Sequence, residues 1–140
     1  IKSHIKRKKD YTSCNSIPFG ARSEVISLKI LKKCHSMLED PNSSEYMTWM
    51  LNRPEYFNTN ELTHPNPKLN RPEISLTVDY PQDYKNVSEI YNFFEGKVPS
   101  LLKIIHWLNK NEKLLKKLKK KRTEKKPKNI NIKFKKLYVN

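Results

Sequence analysis

Apolar residues recur at helical spacing along much of this chain, and the spacing predicts where its helices lie. From Ser23 to Leu38, apolar side chains three and four residues apart form one stripe, which is typical of an amphipathic helix. A second, short helix is predicted from Asn42 to Leu51, because Asn42 is a favoured capping residue and Glu45 completes a capping box. A proline follows each of these two helices within three residues.

The second half of the chain predicts two helices joined by a short connection. Val87–Glu95 forms the first of them, with Asn86 as its cap. Gly96 is a natural helix terminator, and Pro99 suits the first turn of the helix that runs from Ser100 onward. Because the connection is so short, we expect a hairpin of two neighbouring helices.

The last of these helices changes its chemistry along its length, without a break signal. Its first part, Leu101–Leu108, carries an apolar seam and predicts burial. Beyond Asn109–Asn111 the seam thins, and lysine dominates the sequence as far as Arg122. We therefore expect one end to pack in a protein core and the other to face a polyanion.

The remaining segments show no helical period. Residues 1–18 are basic and predict an arm that becomes ordered only against a partner. Residues 55–73 are rich in proline and asparagine and predict an irregular insertion. Alternating apolar and polar residues predict a short strand at Ile74–Val78 and a strand or extended segment at Asn129–Lys135.

Together these elements predict a mainly α fold. A small helical core (a helix, a short helix and a helical hairpin) carries extended basic N- and C-terminal arms and at most short isolated strands. The predicted domains are a basic N-terminal arm (1–18), a helical core (19–108) containing the insertion at 55–73, and a basic C-terminal helix with an extended tail (109–140). A length of 140 residues, 36% of them hydrophobic, suits one small domain. No apolar run of about 18 residues occurs, so no transmembrane segment is expected.

The charge is concentrated at the two ends of the chain. Of the net charge of +15, residues 1–33 carry +7, residues 34–108 carry −4 and residues 109–140 carry +12. Basic ends on a mildly acidic middle are typical of proteins that bind nucleic acid or an anionic surface. Because lysine lacks the planar fork that reads guanine, binding to the phosphate backbone is predicted. The candidate RNA-binding residues are Lys6, Arg7, Lys8, Lys9, Lys116, Lys117, Lys119, Lys120, Lys121, Arg122, Lys125, Lys126 and Lys128.

No catalytic motif is recognisable in the sequence. With two glycines in all, the chain has no glycine-rich phosphate loop, and its four histidines are scattered. Cys14 and Cys34 form no C-x-x-C pair, which argues against a structural zinc site or a disulfide scaffold. A DNA-reading helix-turn-helix is disfavoured because the second hairpin helix is apolar where base contacts are needed. We therefore predict no enzyme activity, no cofactor, no metal site and no small-molecule substrate.

Several short motifs occur in an order that resembles one small protein family. They are Phe19-Gly20, Ser27–Lys32, Tyr80-Pro81 with Tyr84, His106 with Glu112, Leu115–Leu118, and the Lys126-Pro127-Lys128 tail. In this order they resemble the family of mitochondrial ribosomal small-subunit protein number thirty-three, over about two thirds of the chain in pieces. Residues 42–73 have no counterpart in that family.

The resemblance implies a non-catalytic structural component of the mitochondrial small ribosomal subunit, located in the matrix. Its partners would be ribosomal RNA, bound by the basic extensions, and other small-subunit ribosomal proteins, bound by the helical core. Two alternatives stay open from the residues alone. One is a non-ribosomal subunit or assembly factor of an organellar membrane complex, whose basic tail binds anionic lipid. The other is a basic protein associated with DNA or chromatin.

Overall fold

The computed structural model describes residues 1–40, 47–119 and 132–135. These residues divide into two units. Unit 1 comprises Ile1–Ser13, Glu24–Glu61 and residues 132–135; unit 2 comprises Cys14–Ser23 and residues 62–119. The helices are α1 (Lys2–Lys6), α2 (Leu28–Met37), α3 (Met47–Leu51), α4 (Pro81–Phe93), α5 (Leu101–Lys110) and α6 (Glu112–Leu118), and the strands are β1 (Tyr11–Ser13), β2 (Glu24–Ile26) and β3 (Thr59–Glu61).

Unit 1 is built on a three-stranded mixed sheet in the order β2-β1-β3. The central strand β1 is buried along its whole length; it pairs antiparallel with β2 and parallel with β3. Tyr11 lies opposite Ile26 on one side and Thr59 on the other. The Nδ1 atom of His4 lies 2.9 Å from the Thr12 hydroxyl oxygen, a buried hydrogen bond that ties α1 to the central strand.

The apolar core of unit 1 joins β1 to α2 and α3. Tyr11, Cys34 and Leu51 are among its buried members, one from each of these elements. The short segment 132–135 packs against this core through Phe134, whose ring centroid lies 4.6 Å from that of Tyr56. Phe134 also forms an antiparallel bridge with Leu38, immediately after α2.

Thiol reagents should distinguish the two cysteines of the folded protein. Cys34 is buried, with its Sγ atom 3.9 Å from the Met50 carbonyl oxygen, whereas Cys14 is half-buried. Burial raises the pKa of the Cys34 thiol, and the Arg53 guanidinium offsets only part of that rise. Because the thiolate is the reactive form, we expect Cys14 to react with an aromatic disulfide reagent in the native state and Cys34 only after denaturation.

The control for this assay is Cys14→Ser, which should abolish the fast reaction while the slow one remains. Equal labelling rates for the two native thiols would contradict the burial of Cys34.

The raised pKa of the Cys34 thiol also predicts a loss of stability in alkali. Folded Cys34 keeps its proton where the unfolded chain has lost it, so the free energy of unfolding should fall as the pH rises above about 8.5.

Unit 2 is organised around the extended segment that precedes α4. The Phe19 N–H donates to the Ile74 carbonyl and the Leu76 N–H donates to the Phe19 carbonyl, both at 2.8 Å. On its other side, the Ser75 N–H donates to the Leu118 carbonyl at 2.9 Å. These hydrogen bonds satisfy backbone N–H and C=O groups of the extended segment, which contributes to the core of unit 2. The fully buried members of that core are Ile74, Ile90, Leu108, Leu114 and Leu118.

The helix predicted to run unbroken from Ser100 is interrupted at Asn111. The backbone of Asn111 (φ −115°, ψ 70°) leaves the helical region and separates α5 from α6. Its side-chain Oδ1 accepts the Leu114 N–H at 3.3 Å and caps α6. The interruption lets Leu114 and Leu118 reach the same core as Leu108, so the prediction of a single continuous helix is wrong.

The predicted fold class is also wrong. The described chain is α/β, with six α-helices and a mixed sheet, and is not a helical core with basic arms and isolated strands. Residues 11–13, assigned to a basic arm, form the central strand, because backbone pairing on both sides satisfies them. Residues 24–26, assigned to the first helix, form β2, and residues 59–61 of the predicted irregular insertion form β3.

Other predicted elements survive with shifted boundaries. The helix predicted from Ser23 begins at Leu28, and the helix predicted from Val87 already begins at Pro81. The segment Ile74–Val78 forms isolated bridges at Ile74 and Ser75 in place of a strand. Residues 42–46 of the second predicted helix and residues 129–131 of the alternating tail lie outside the described residues. The predicted domain boundaries at 18 and 108 stay predictions.

Within the described ranges, every helix is too short or too polar to cross a bilayer.

Candidate active site

The start of α4 is fixed by a buried carboxylate. Asp83 is only 4% exposed, and its Oδ2 atom accepts the backbone N–H groups of Tyr80 at 3.2 Å and of Asp79 at 3.4 Å. The Asp83 N–H in turn donates to the Tyr80 carbonyl at 2.9 Å. Pro81 occupies the first helical turn, where a missing N–H costs nothing. A carboxylate at this position also interacts favourably with the helix dipole.

The turn that Asp83 holds presents a second carboxylate and two phenol rings to solvent. Asp79 is exposed and lies between the extended segment of unit 2 and α4. Tyr80 and Tyr84 are each about two-thirds exposed, at 68% and 66%.

A cavity of about 600 Å³ adjoins this turn, and we call it the α4 cavity. Its lining residues are Tyr80, Gln82, Asp83, Asn86 and Lys117. The Gln82 amide donates to the buried Asn86 side chain at 3.0 Å, which fixes both amides. The Lys117 ammonium donates to Glu89 at 3.2 Å, and this partly exposed ion pair holds the lysine at the cavity. The cavity thus combines a cation, amide groups and an aromatic ring.

The described residues do not form a metal site by themselves. No group of three or more histidine, cysteine or acidic side chains lies close enough together in the described ranges. Asp79 and Asp83 are a pair, and the Asp83 carboxylate is already engaged by two backbone N–H groups.

The RNA-binding residues predicted near the N-terminus lie in unit 1, around β3. Arg7 donates to the Asn60 side chain at 3.5 Å, and the Lys9 ammonium donates to the Asn58 side chain at 2.7 Å. Lys6 is the last residue of α1, Lys8 follows two residues later, and both are exposed. The structure therefore brings these four residues together on one unit.

The RNA-binding residues predicted near the C-terminus are only partly described. Lys116 and Lys117 are exposed on α6. Lys119, the residue immediately after α6, forms an isolated antiparallel bridge with Ile74. The others, Lys120, Lys121, Arg122, Lys125, Lys126 and Lys128, lie outside the described residues. Among the seven predicted residues that the structure describes, Lys117 alone lines the α4 cavity.

The sequence analysis missed the residues that shape this site. The signal was present, since Pro81 and Asp83 occupy the first and third helical positions after Tyr80. The capping pattern at Asn86 led to a prediction that the same helix starts later, at Val87. In the structure Asn86 lies inside α4, buried, with its side chain bonded to Gln82.

Comparison with known proteins relates the chain to a cytidylyltransferase fold. No protein-family model matches the sequence. An uncharacterized protein of Methanocaldococcus jannaschii is 29% identical over 111 residues, which are 79% of this chain and 45% of that protein. A cytidylyltransferase from Leptospira borgpetersenii superposes with a TM-score of 0.65 at 20% identity, over 77% of this chain and 46% of that chain. This chain thus spans less than half the length of each protein that it resembles.

These findings overturn the identification as a mitochondrial ribosomal protein. The motifs that suggested it are short, and the fold of the described residues resembles part of a cytidylyltransferase. The structural ribosomal role is wrong for the same reason, as are the two alternatives, the membrane-complex subunit and the chromatin protein. The expectation of a non-enzymatic protein is likewise contradicted by a neighbour that is an enzyme. The RNA-binding residues, the partners and the localisation stay predictions.

Proposed function

We propose that the protein takes part in nucleotidyl transfer, with CTP as the first candidate donor. The observation that carries this proposal is the fold likeness, since 77% of the chain superposes on a cytidylyltransferase with a TM-score of 0.65. The exposed carboxylate and aromatic rings at the start of α4 give this fold a site with suitable chemistry.

The reaction is a displacement at phosphorus. An oxygen of the acceptor attacks the α-phosphorus of the nucleoside triphosphate, a new P–O bond forms, and the bond to the departing pyrophosphate breaks. The acceptor's proton goes to a base or to solvent, so atoms and charge balance. Catalysis of such a transfer depends mainly on positioning the groups and on stabilising negative charge.

The residues around the α4 cavity have separate roles in this proposal. Tyr80 offers an aromatic face and Lys117 a cation for a phosphate oxygen. Asp79 accepts hydrogen bonds from hydroxyl groups of the nucleotide or the acceptor, because an ionised carboxylate is an acceptor only. Asp83 is a positioning residue, since its carboxylate already holds the backbone of the turn.

Replacing Asp79 with asparagine should weaken CTP binding and slow pyrophosphate release by the full-length protein. The change keeps the size of the side chain and removes its charge, so the fold should persist while affinity falls about tenfold. Calorimetric titration with CTP, UTP, ATP and GTP measures the binding. Pyrophosphate release in the presence of a protein-free metabolite extract measures the transfer.

Glu95→Gln is the matched control, because Glu95 is an exposed acid just after the C-terminus of α4, at the opposite end of the helix from Asp79 and the cavity. It should bind CTP as the unaltered protein does. The proposal fails if none of the four triphosphates binds the full-length protein at about 1 mM. It fails equally if Asp79→Asn and Glu95→Gln have the same affinity for CTP.

A further inference from the structure

A second concave surface of unit 2 is formed by α5, the end of α4 and a 3-10 helix at Pro67–Leu69. We call it the α5 groove. Its volume is about 710 Å³, which falls in the range of sites for small organic ligands. It shares no lining residue with the α4 cavity. The α5 groove is therefore a different site from the α4 cavity, and ligand binding there goes beyond nucleotidyl transfer at the α4 cavity.

The floor of the α5 groove is aromatic. The rings of Phe93 and Trp107 are stacked, with centroids 4.7 Å apart and planes inclined by 29°. Phe94 meets Phe93 edge-on at 4.9 Å and completes the cluster. Phe93 is nevertheless 56% exposed, and Leu102 beside it is 41% exposed. A planar apolar group that covered these side chains would remove them from water, which favours its binding.

The rim of the groove is basic, and no acidic side chain of the described ranges lines it. Lys103, His106 and Lys110 lie three, four and seven residues apart on α5, so they share one face of the helix. Lys68 adds a further cation from the 3-10 helix. In the described part of the chain, none of these three lysines has an acidic partner within ion-pair distance.

Arg71 is held in place at the same rim. Its Nη1 donates to the Asn109 side chain at 2.7 Å, and its Nε donates to the Glu73 carboxylate at 2.6 Å. Partial burial raises the pKa of the Glu73 carboxyl, but the Arg71 hydrogen bond and charge lower it by more. The pair therefore stays ionised at neutral pH and fixes the edge of the groove, while the three lysines remain available to an anion.

We propose that the α5 groove binds a nucleoside phosphate, with its base on the Phe93–Trp107 platform and its phosphates among Lys68, Lys103 and Lys110. The aromatic floor matches a planar base, because nucleobases stack on exposed aromatic rings. The lysines on the rim match the phosphates, because a lysine ammonium attracts phosphate as a point charge. The volume accommodates one nucleotide.

Tryptophan fluorescence tests this proposal directly. The chain has two tryptophans, and Trp49 lies in unit 1, so in a Trp49→Phe background the emission comes from Trp107 alone. Titration of this full-length variant with CMP, CTP, AMP and ATP should give saturable quenching. Cytidine without phosphate should bind more weakly, and tripolyphosphate without a base should bind without quenching, which separates the two halves of the site.

The double variant Lys103→Glu/Lys110→Glu should lower nucleotide affinity about tenfold or more. Lys29→Glu/Lys33→Glu is its control, because it makes the same change of charge on exposed residues of α2. Asp79→Asn should keep the quenching while it slows pyrophosphate release, so failure of the transfer proposal can be distinguished from failure of this one. The inference is overturned if no nucleotide quenches Trp107 at about 1 mM, or if only single-stranded RNA does. It is overturned also if both double variants bind alike.

Discussion

Replacing Leu108 with alanine should lower the free energy of unfolding of unit 2 by about 2–5 kcal/mol. Leu108 has no exposed surface and lies in the core that joins the extended segment to α4, α5 and α6. The substitution removes buried apolar surface and leaves a cavity that the surrounding side chains fill only in part. Such a loss is a large fraction of the stability of a small domain.

Leu102→Ala is the matched control, because it makes the same chemical change on the same helix at a residue that is 41% exposed. Its cost should stay below about 1 kcal/mol, as expected for a surface position. Urea denaturation followed by Trp107 fluorescence in a Trp49→Phe background measures unit 2 specifically, since Trp107 packs against its core. Equal midpoints for the two leucine variants would show that Leu108 is not a core residue.

Replacing Gly20 with alanine should be almost as damaging, for a different reason. Gly20 has a φ of +92°, a conformation that costs an L-residue about 1–2 kcal/mol. A Cβ atom there would lie 2.9 Å from the backbone C of Leu76 and the backbone N of Thr77, so one of the two segments must move. That movement would strain the bridge between Phe19 and the segment, whose two hydrogen bonds contribute about 1 kcal/mol each. We expect a total loss of about 3 kcal/mol.

Gly96→Ala separates the two causes. Gly96 also has a left-handed φ, +73°, but a Cβ atom there would meet nothing within 4 Å. It should therefore cost only the conformational term of about 1–2 kcal/mol. If Gly20→Ala and Gly96→Ala shift the urea midpoint equally, the close approach of Gly20 to the segment adds nothing to the cost of the substitution.

The Gly20 contact also bears on the candidate active site. The segment that Gly20 touches ends at Asp79, two residues beyond Thr77. A displacement of Leu76 and Thr77 would therefore be passed on to the carboxylate of Asp79 and to the turn held by Asp83.

The pattern of apolar residues in the sequence was enough to predict the central parts of two helices, α2 and α5. The apolar stripes of α2 and α5 repeat at helical spacing, and burial of one face is a local consequence of that spacing. The end of α4 also follows from a local signal, since Gly96 and the preceding Glu95 adopt the left-handed conformation that ends helices. These features depend on residues that are neighbours in the sequence.

The strands could not be predicted in this way. Each has three residues, too few to show an alternating pattern, and Val25 and Ile26 fit the apolar stripe of the adjoining helix equally well. What makes Tyr11–Ser13 a strand is pairing with residues 24–26 and 59–61, and contacts at such sequence separations leave no local signal.

The sequence by itself determined the helical faces, the helix terminator at Gly96 and the basic character of both ends. Only the tertiary structure decided the fold class, the start of α4 and the two candidate sites. Asp83 differs from other acids because folding buries it against the backbone of Asp79 and Tyr80. Lys103 and Trp107 line the same groove as Phe93 because α5 packs against the end of α4. Proximity created by folding, and not residue type, distinguishes these side chains from the other charged and aromatic residues of the chain.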